Sequence, residues 1–426
     1  MKKTLFCIAL LWLTCSANAQ EADDLQALQL ADQIMTKPEQ PSNWRIFAEG
    51  AARGAVLRSS DSFQANQRLS FDAQYDNTFA PGWRAVFSDR LDIDNPAQAP
   101  SDRAINTIKE AYLSWQAQPN LLFDLGRINE RNGVALGYNP TDYFKAAALR
   151  SVVSVDPNSL KENRQGSVML RAQQLSDNGS LTVLFSPKLS DAINAEHEYA
   201  TFNPDIAATN NINRWLVSYS PKFSNDFNPK VLLFKSEQLP TQFGLNFTSL
   251  VNDATVIYLE WSGGRRPNLL TQALQAQGIP VADNSAFRNR VSSGVTYTTD
   301  NKISISAEFD YNGTGLDQQQ WSDLGRPNLL YGAYRKWLQI VQESPTKQTA
   351  FLYATWQDAG LNHLDVSAME RFNLVDSSHL TWLEARYHMT HSEFALQWQR
   401  DSGSRFSEFG AARQSQLWSL LGRFYF

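Results

Sequence analysis

Cysteine is nearly absent from this chain. Its 426 residues hold two, Cys7 and Cys15, and both lie in a segment built like a secretory leader. Lys2 and Lys3 precede an apolar run from Leu5 to Leu13, then small residues and Ala17-Asn18-Ala19, the pattern of a cleaved signal peptide over residues 1–19. A lipoprotein reading through Cys15 is disfavoured by the lead-in Trp12-Leu13-Thr14. Loss of the leader removes both thiols, which excludes a disulfide framework and thiol catalysis from the exported chain. Long apolar runs are the second absence. Beyond the leader none reaches the ~18 residues of a spanning helix, and the mean hydropathy is -0.40. An excess of one charge is also missing: 38 Lys+Arg against 43 Asp+Glu leave -5, spread along the chain, which argues against a nucleic-acid partner. Histidine is scarce (His197, His363, His379, His388 and His391) and sits in no motif. Glu196-His197-Glu198 lacks the second histidine of a helical zinc site, and no phosphate-binding loop or dinucleotide fingerprint occurs. No metal, no cofactor and no catalytic residue is expected.

What the sequence does contain is alternation. Residues Leu417 to Phe426 end the chain with Trp418, Leu420, Gly422, Phe424 and Phe426 on one face of an extended strand and Ser419, Leu421, Arg423 and Tyr425 on the other. The large apolar members of the first face, Trp418, Leu420, Phe424 and Phe426, resemble the terminal signal read by the outer-membrane barrel-assembly machinery. From Trp44 onward about eighteen such segments follow one another, with sixteen possible, each long enough for the ~9 to 11 residues with which a tilted strand crosses a bilayer. The expected fold is all-β, a transmembrane antiparallel barrel over 44–426. Before it, residues 20–43 place Leu25, Leu28, Leu30, Ala31 and Ile34 at near-helical spacing, which predicts a short periplasmic helix. A barrel also explains the polar average, since only one face of each strand meets lipid.

The connections alternate too. Those after even-numbered strands are short and built from turn formers, as in Ala80-Pro81-Gly82, Asp177-Asn178-Gly179 and Asp300-Asn301. Long ones, roughly 132–166, 189–211, 263–286 and 313–347, all follow odd-numbered strands. With both ends of the barrel in the periplasm, every long loop falls outside the cell, the expected layout of outer-membrane barrels. In the second segment Leu69, Phe71, Ala73 and Tyr75 alternate with Arg68, Ser70, Asp72, Gln74 and Asp76, and in the seventeenth Phe394, Leu396 and Trp398 alternate with Gln397, Gln399 and Asp401. The segments Leu121–Arg127 and Phe351–Trp356 show no clear alternation.

Charge on the polar face supplies the candidate pore-lining residues: Arg45, Glu49 and Arg53 on the first strand, Arg68 and Asp72 on the second, Arg84 and Arg90 on the third, Glu384 and Arg386 on the sixteenth. Such groups line a channel and bias its solutes, or pair across strands and brace the wall. The first long loop carries Lys145, Arg150, Lys161 and Arg164. Loops of that length are usually functional: folded inward it would form a constriction favouring anions, folded outward a lid or a contact for lipopolysaccharide. Two loops share a phrase, Gly264-Arg265-Arg266-Pro267-Asn268-Leu269-Leu270 and Gly325-Arg326-Pro327-Asn328-Leu329-Leu330, either a duplicated ligand-contact element or a coincidence.

Lys109-Glu110-Ala111-Tyr112-Leu113, Leu125-Gly126-Arg127 and Tyr138-Asn139-Pro140-Thr141-Asp142-Tyr143-Phe144 resemble a block of the alginate-export and substrate-specific porin families of outer-membrane channels. The resemblance covers about forty residues. It implies that Arg127 points into the pore and that the loop after it forms the constriction. Acids interspersed with the arginines depart from the strongly electropositive lumen that alginate export implies. The sequence thus predicts a non-enzymatic outer-membrane channel for small or polymeric hydrophilic, including anionic, solutes. Its expected partners are membrane lipids, lipopolysaccharide, the assembly machinery and the solute or polysaccharide itself. A barrel that binds or exports surface polysaccharide and a barrel hydrolase are the alternatives.

Overall fold

A computed structural model describes residues 42–96, 103–191, 201–224, 227–325 and 329–426. The expected leader, the expected N-terminal helix and Glu196-His197-Glu198 lie outside these residues. Among the described residues eighteen strands follow one another in chain order. The first nine are β1 (Trp44–Leu57), β2 (Phe63–Ala80), β3 (Trp83–Asn95), β4 (Ala104–Gln118), β5 (Leu121–Ile128), β6 (Ser167–Ser176), β7 (Gly179–Ser186), β8 (Arg214–Pro221) and β9 (Phe227–Ser236). The remainder are β10 (Gln242–Asn252), β11 (Thr255–Arg266), β12 (Ala286–Thr298), β13 (Ile303–Asn312), β14 (Gln348–Trp356), β15 (Leu364–Asn373), β16 (Ser378–His388), β17 (Ser392–Ser402) and β18 (Gln414–Tyr425).

Each strand pairs antiparallel with its sequence neighbours, and β1 also pairs with β18, Glu49 opposite Arg423 and Ala51 opposite Leu421. The sheet is closed, and no edge is left to recruit another chain. The expected facing holds at the seam and in β2. Leu69 (43%) and Phe71 (45%) are exposed outward while Arg68 and Asp72 are buried inward; Trp418, Leu420, Phe424 and Phe426 all lie on the outer surface. Aromatics form two outward belts. Trp44, Trp83, Trp115, Tyr219, Tyr297 and Trp356 circle the short-turn rim, and Phe63, Trp215, Phe243, Phe287 and Phe372 the long-loop rim, where amphipathic rings sit at a bilayer interface.

The interior departs from a simple polar lining. Met169, Leu184, Leu216, Leu232 and Phe234 on β6–β9 face inward and form one buried cluster with Ile128 and Phe144. Phe351, Met369, Leu380 and Trp382 on β14–β16 form another with Phe409, and Leu136 and Val155 pack against it. This accounts for part of the two unclear segments: Phe351 of β14 and Ile128 at the end of β5 put apolar groups on inner faces that protein covers, alongside polar members such as Asp124 and Thr349.

The long loops carry helices that the strand pattern does not announce: α1 (Pro157–Glu162), α2 (Ile206–Thr209), α3 (Leu269–Ala276), α4 (Gln318–Gly325) and α5 (Leu329–Val341). Asp156 caps α1 by accepting from Ser159 N at 2.8 Å, with Pro157 in the first turn, and Asn268 caps α3 through Thr271 N at 2.8 Å. Leu269, Trp321, Leu324, Tyr331, Tyr334 and Leu338 gather α3, α4 and α5 into a hood with its own apolar core. The repeated phrase finds its account here. In both copies the Leu-Leu pair opens a helix, and Leu269, Leu270 and Leu330 all pack into the hood.

Candidate functional site: the interior constriction

The loop between β5 and β6, residues 129–166, crosses the interior and is held on several sides. Two carboxylates grip its first turn. Glu260 of β11 accepts Ala135 N at 2.7 Å, and Glu308 of β13 accepts Leu136 N and Gly137 N, each at 2.7 Å. Gly133 is required there: its φ is +85°, and a Cβ would lie 2.4 Å from the Glu260 carboxylate oxygens. Arg371 of β15 donates to Gly137 O at 2.7 Å. Farther on, Tyr143 stacks on Phe234 with centroids 4.5 Å apart and shares a hydrogen bond with Ser262 at 2.9 Å. Tyr353 of β14 donates to Asp156 at 3.0 Å, and Arg68 of β2 donates to Val153 O at 3.1 Å. The two arginine bonds are charge-assisted and therefore strong, and the apolar contacts add burial to the whole set.

The hood clamps the loop from above. Ala147 N donates to Ile340 O at 2.8 Å, and Glu343 joins Lys145 (3.2 Å), Arg290 (3.3 Å) and the Tyr138 hydroxyl (2.8 Å). Burial alone would raise the Glu343 carboxyl, but Lys145, Arg290 and Arg266 outweigh it and hold the group down at about 2.

These contacts revise the roles expected for the loop cations. Lys145 (6% exposed) is spent on Glu343, and Arg164 (6%) on Asp142. Arg150 bonds Asn106 O, Asn203 O and the Asp205 carboxylate, and Lys161 donates to Ala135 O at 2.8 Å. They fasten the loop instead of presenting charge to a passing solute. Arg127 is a further correction. Strand alternation sets it with the exposed Leu125, away from the interior, and its guanidinium is buried on Pro204 O (2.6 Å) and Ile108 O (3.5 Å). It helps to seal the wall where β4 rises above the end of β5.

Four of the wall candidates are also structural. Glu49, Arg68, Asp72 and Arg90 are at most 3% exposed and, with Asp92, Lys109 and Arg423, make one network across β1–β4 and β18. Glu49 alone meets Arg68 (2.6 Å), Arg90 (3.2 Å) and Arg423 (2.8 Å). Removing one member strands buried charges of the other sign, which costs about 3–5 kcal/mol. Glu49→Ala is therefore expected to lower sharply the temperature at which the barrel unfolds in detergent, read as the heat-dependent gel shift. An unchanged transition would show that the network braces nothing. Arg84 pairs with Asp76 at 2.5 Å on the short-turn rim, both side chains well exposed, far from the loop.

A crescent remains uncovered. On β1, Arg45 and Arg53 keep 22% and 18% of their side chains exposed, and Arg423 on β18 keeps 23%. Arg53 pairs with Asp94, and Arg386 with Glu384 and Glu393, both at 2.9 Å. Facing them from the last residue of α1 is Glu162, with 52% of its side chain open to the interior and Oε1 3.4 Å from Arg45 Nη2. Burial deep in the barrel acts to raise this carboxyl, but Lys109, Arg45, Arg423 and Arg131 overcome it and keep it below the ordinary carboxylate range. Glu162 is the residue that the sequence did not single out. The only signal was its place at the end of a Pro-started helix inside a long loop.

No protein-family model matches the chain, and no curated protein is similar to it, so the alginate-export resemblance of residues 109–144 gains no support from these comparisons. Solved structures do match in fold. The crystal structure of Acinetobacter baumannii OccAB1 aligns over 90% of this chain and 96% of its own at a TM-score of 0.55 and 10% identity. A triple mutant of the Rh. blastica porin aligns over 90% and 100% at 0.44 and 11%. Likeness at that identity shows the fold alone: the chain has the closed antiparallel barrel fold of OccAB1.

Proposed function

We propose that this protein is an outer-membrane channel through which small hydrophilic solutes cross the crescent between Glu162 and the β16–β18–β1 wall. The carrying observation is the uneven interior. One side is packed with apolar side chains under the loop, while the other keeps part-exposed charges of both signs. A barrel built only as a scaffold has no reason to leave such groups accessible, and rings of charge in a narrow passage select solutes. The outward aromatic belts and apolar surface support a membrane setting. Anionic groups would be drawn to Arg45, Arg53 and Arg423.

Recording across a planar bilayer tests this reading. Purified protein is expected to give discrete, reproducible conductance steps, with a small bias in ion preference because the lining charges are mixed. A bilayer that holds correctly folded protein and stays silent would overturn it.

A further inference from the structure

We infer that the outer surface of β7–β9 carries a binding site for the phosphorylated glucosamine headgroup of the glycolipid that forms the outer leaflet. The inference rests on the outer-membrane reading above. Cross-strand register aligns Phe185, Trp215 and Lys235 in one row, one residue inside the long-loop ends of their strands. Phe185 and Trp215 stack with centroids 4.1 Å apart at 27°. Trp215 is 48% exposed on the outward face, which gives the row a flat apolar floor. The row forms part of an open surface hollow lined by Phe185, Asn213, Trp215, Lys235, Ser236 and Glu237.

Each wall of the hollow has a chemical reading. The upper lip is rigid: Asn213 Nδ2 donates to Glu237 Oε1 at 2.5 Å, Glu237 N to Asn213 O at 3.2 Å, and Lys188 N to Asn213 Oδ1 at 2.7 Å. The Glu237 carboxylate is therefore partly engaged and offers its remaining lone pairs to hydroxyls. Lys235 is exposed, and among the described residues no carboxylate lies within ion-pair distance of it. An aromatic floor accepts the apolar face of a sugar or the root of an acyl chain. A lone ammonium at the same level accepts a phosphate, the way basic residues beside a membrane recognise anionic headgroups. The site faces lipid at the height of the headgroups on the long-loop side. A diffusible sugar would not need the outward aromatic row, and phosphatidylglycerol, whose headgroup also carries hydroxyls, brings a single phosphate and no sugar ring to lie on the aromatic floor.

The probe is bisphosphorylated lipid A, added to the detergent-purified full chain and counted by native mass spectrometry. Monophosphoryl lipid A and phosphatidylglycerol are run in parallel. Wild-type protein is expected to retain one bisphosphorylated lipid A per barrel in preference to both. Lys235→Gln should weaken retention about fivefold, the effect of losing roughly 1 kcal/mol per basic group, and Trp215→Leu at least as much. Heat-dependent gel mobility verifies that each variant is folded, and its single-channel conductance is expected to equal wild type because the row faces away from the interior. Equal retention of phosphatidylglycerol, or no loss in folded Lys235→Gln, would overturn the proposal. Conductance without selective lipid A retention refutes this site alone, whereas retention without conductance refutes the channel reading and leaves the site standing.

Discussion

Replacing Glu260 and Glu308 together by alanine is expected to roughly double the single-channel conductance and to make the open current noisy, since the constricting loop would no longer be held. The two carboxylates take three loop amides at 2.7 Å, and Glu308 also takes the Tyr258 hydroxyl at 2.5 Å. Each intramolecular hydrogen bond contributes about 0.5–1.5 kcal/mol net, so the combined loss of these bonds competes with the apolar packing of Leu136, Tyr143 and Phe144. The wall itself should survive, because every strand retains its backbone ladder. Bilayer recordings check the current, and heat-dependent mobility checks the barrel. A folded double variant with wild-type conductance would mean that residues 129–166 do not limit flow.

Exchanging charge across the crescent gives the second large effect. Arg45→Glu places two carboxylates where Arg45 and Glu162 now meet at 3.4 Å, and should shift ion preference toward cations by about tenfold at low salt. One unit charge near 4 Å in a watery lumen is worth about 1 kcal/mol, a reversal changes two units, and counter-ions screen part of it. Glu162→Arg should move the preference the other way by a similar factor. The double exchange, Arg45→Glu with Glu162→Arg, keeps the net charge and rebuilds an opposite-charge pair, and because the two single shifts are opposite in sign the reversal potential should return close to wild type. Single variants that leave the ion preference unchanged, or a double variant that keeps the preference of one of them, would show that this pair does not line the permeation path.

Alternation made the outside of the barrel legible. Leu69 and Phe71, or Phe394 and Leu396, declare an outward face because lipid tolerates only apolar groups there, and the turn formers between segments set where strands end. The inside was less legible for a definite reason. In Leu181–Phe185 and Val231–Phe234 apolar residues occupy both faces, and the loss of alternation in such runs is the trace of an interior covered by protein. Without knowing that the loop returns to cover Leu184, Leu216 and Leu232, those runs read merely as weak strands. Lining and bracing charges could not be told apart for the same reason: Arg68, Arg90, Lys145 and Arg164 look identical in sequence to Arg45, yet partners distant along the chain pair with them and bury them.

By itself the sequence determined the number and order of the strands, their facing, and the side on which the long loops gather, because each of these follows from local period and local turn chemistry. Only the tertiary structure decided that one loop lies across the interior, that its basic residues serve as fasteners, and that Glu162 faces Arg45. Those outcomes depend on carboxylates at 260 and 308 finding amides more than a hundred residues away, a pairing that no local pattern encodes.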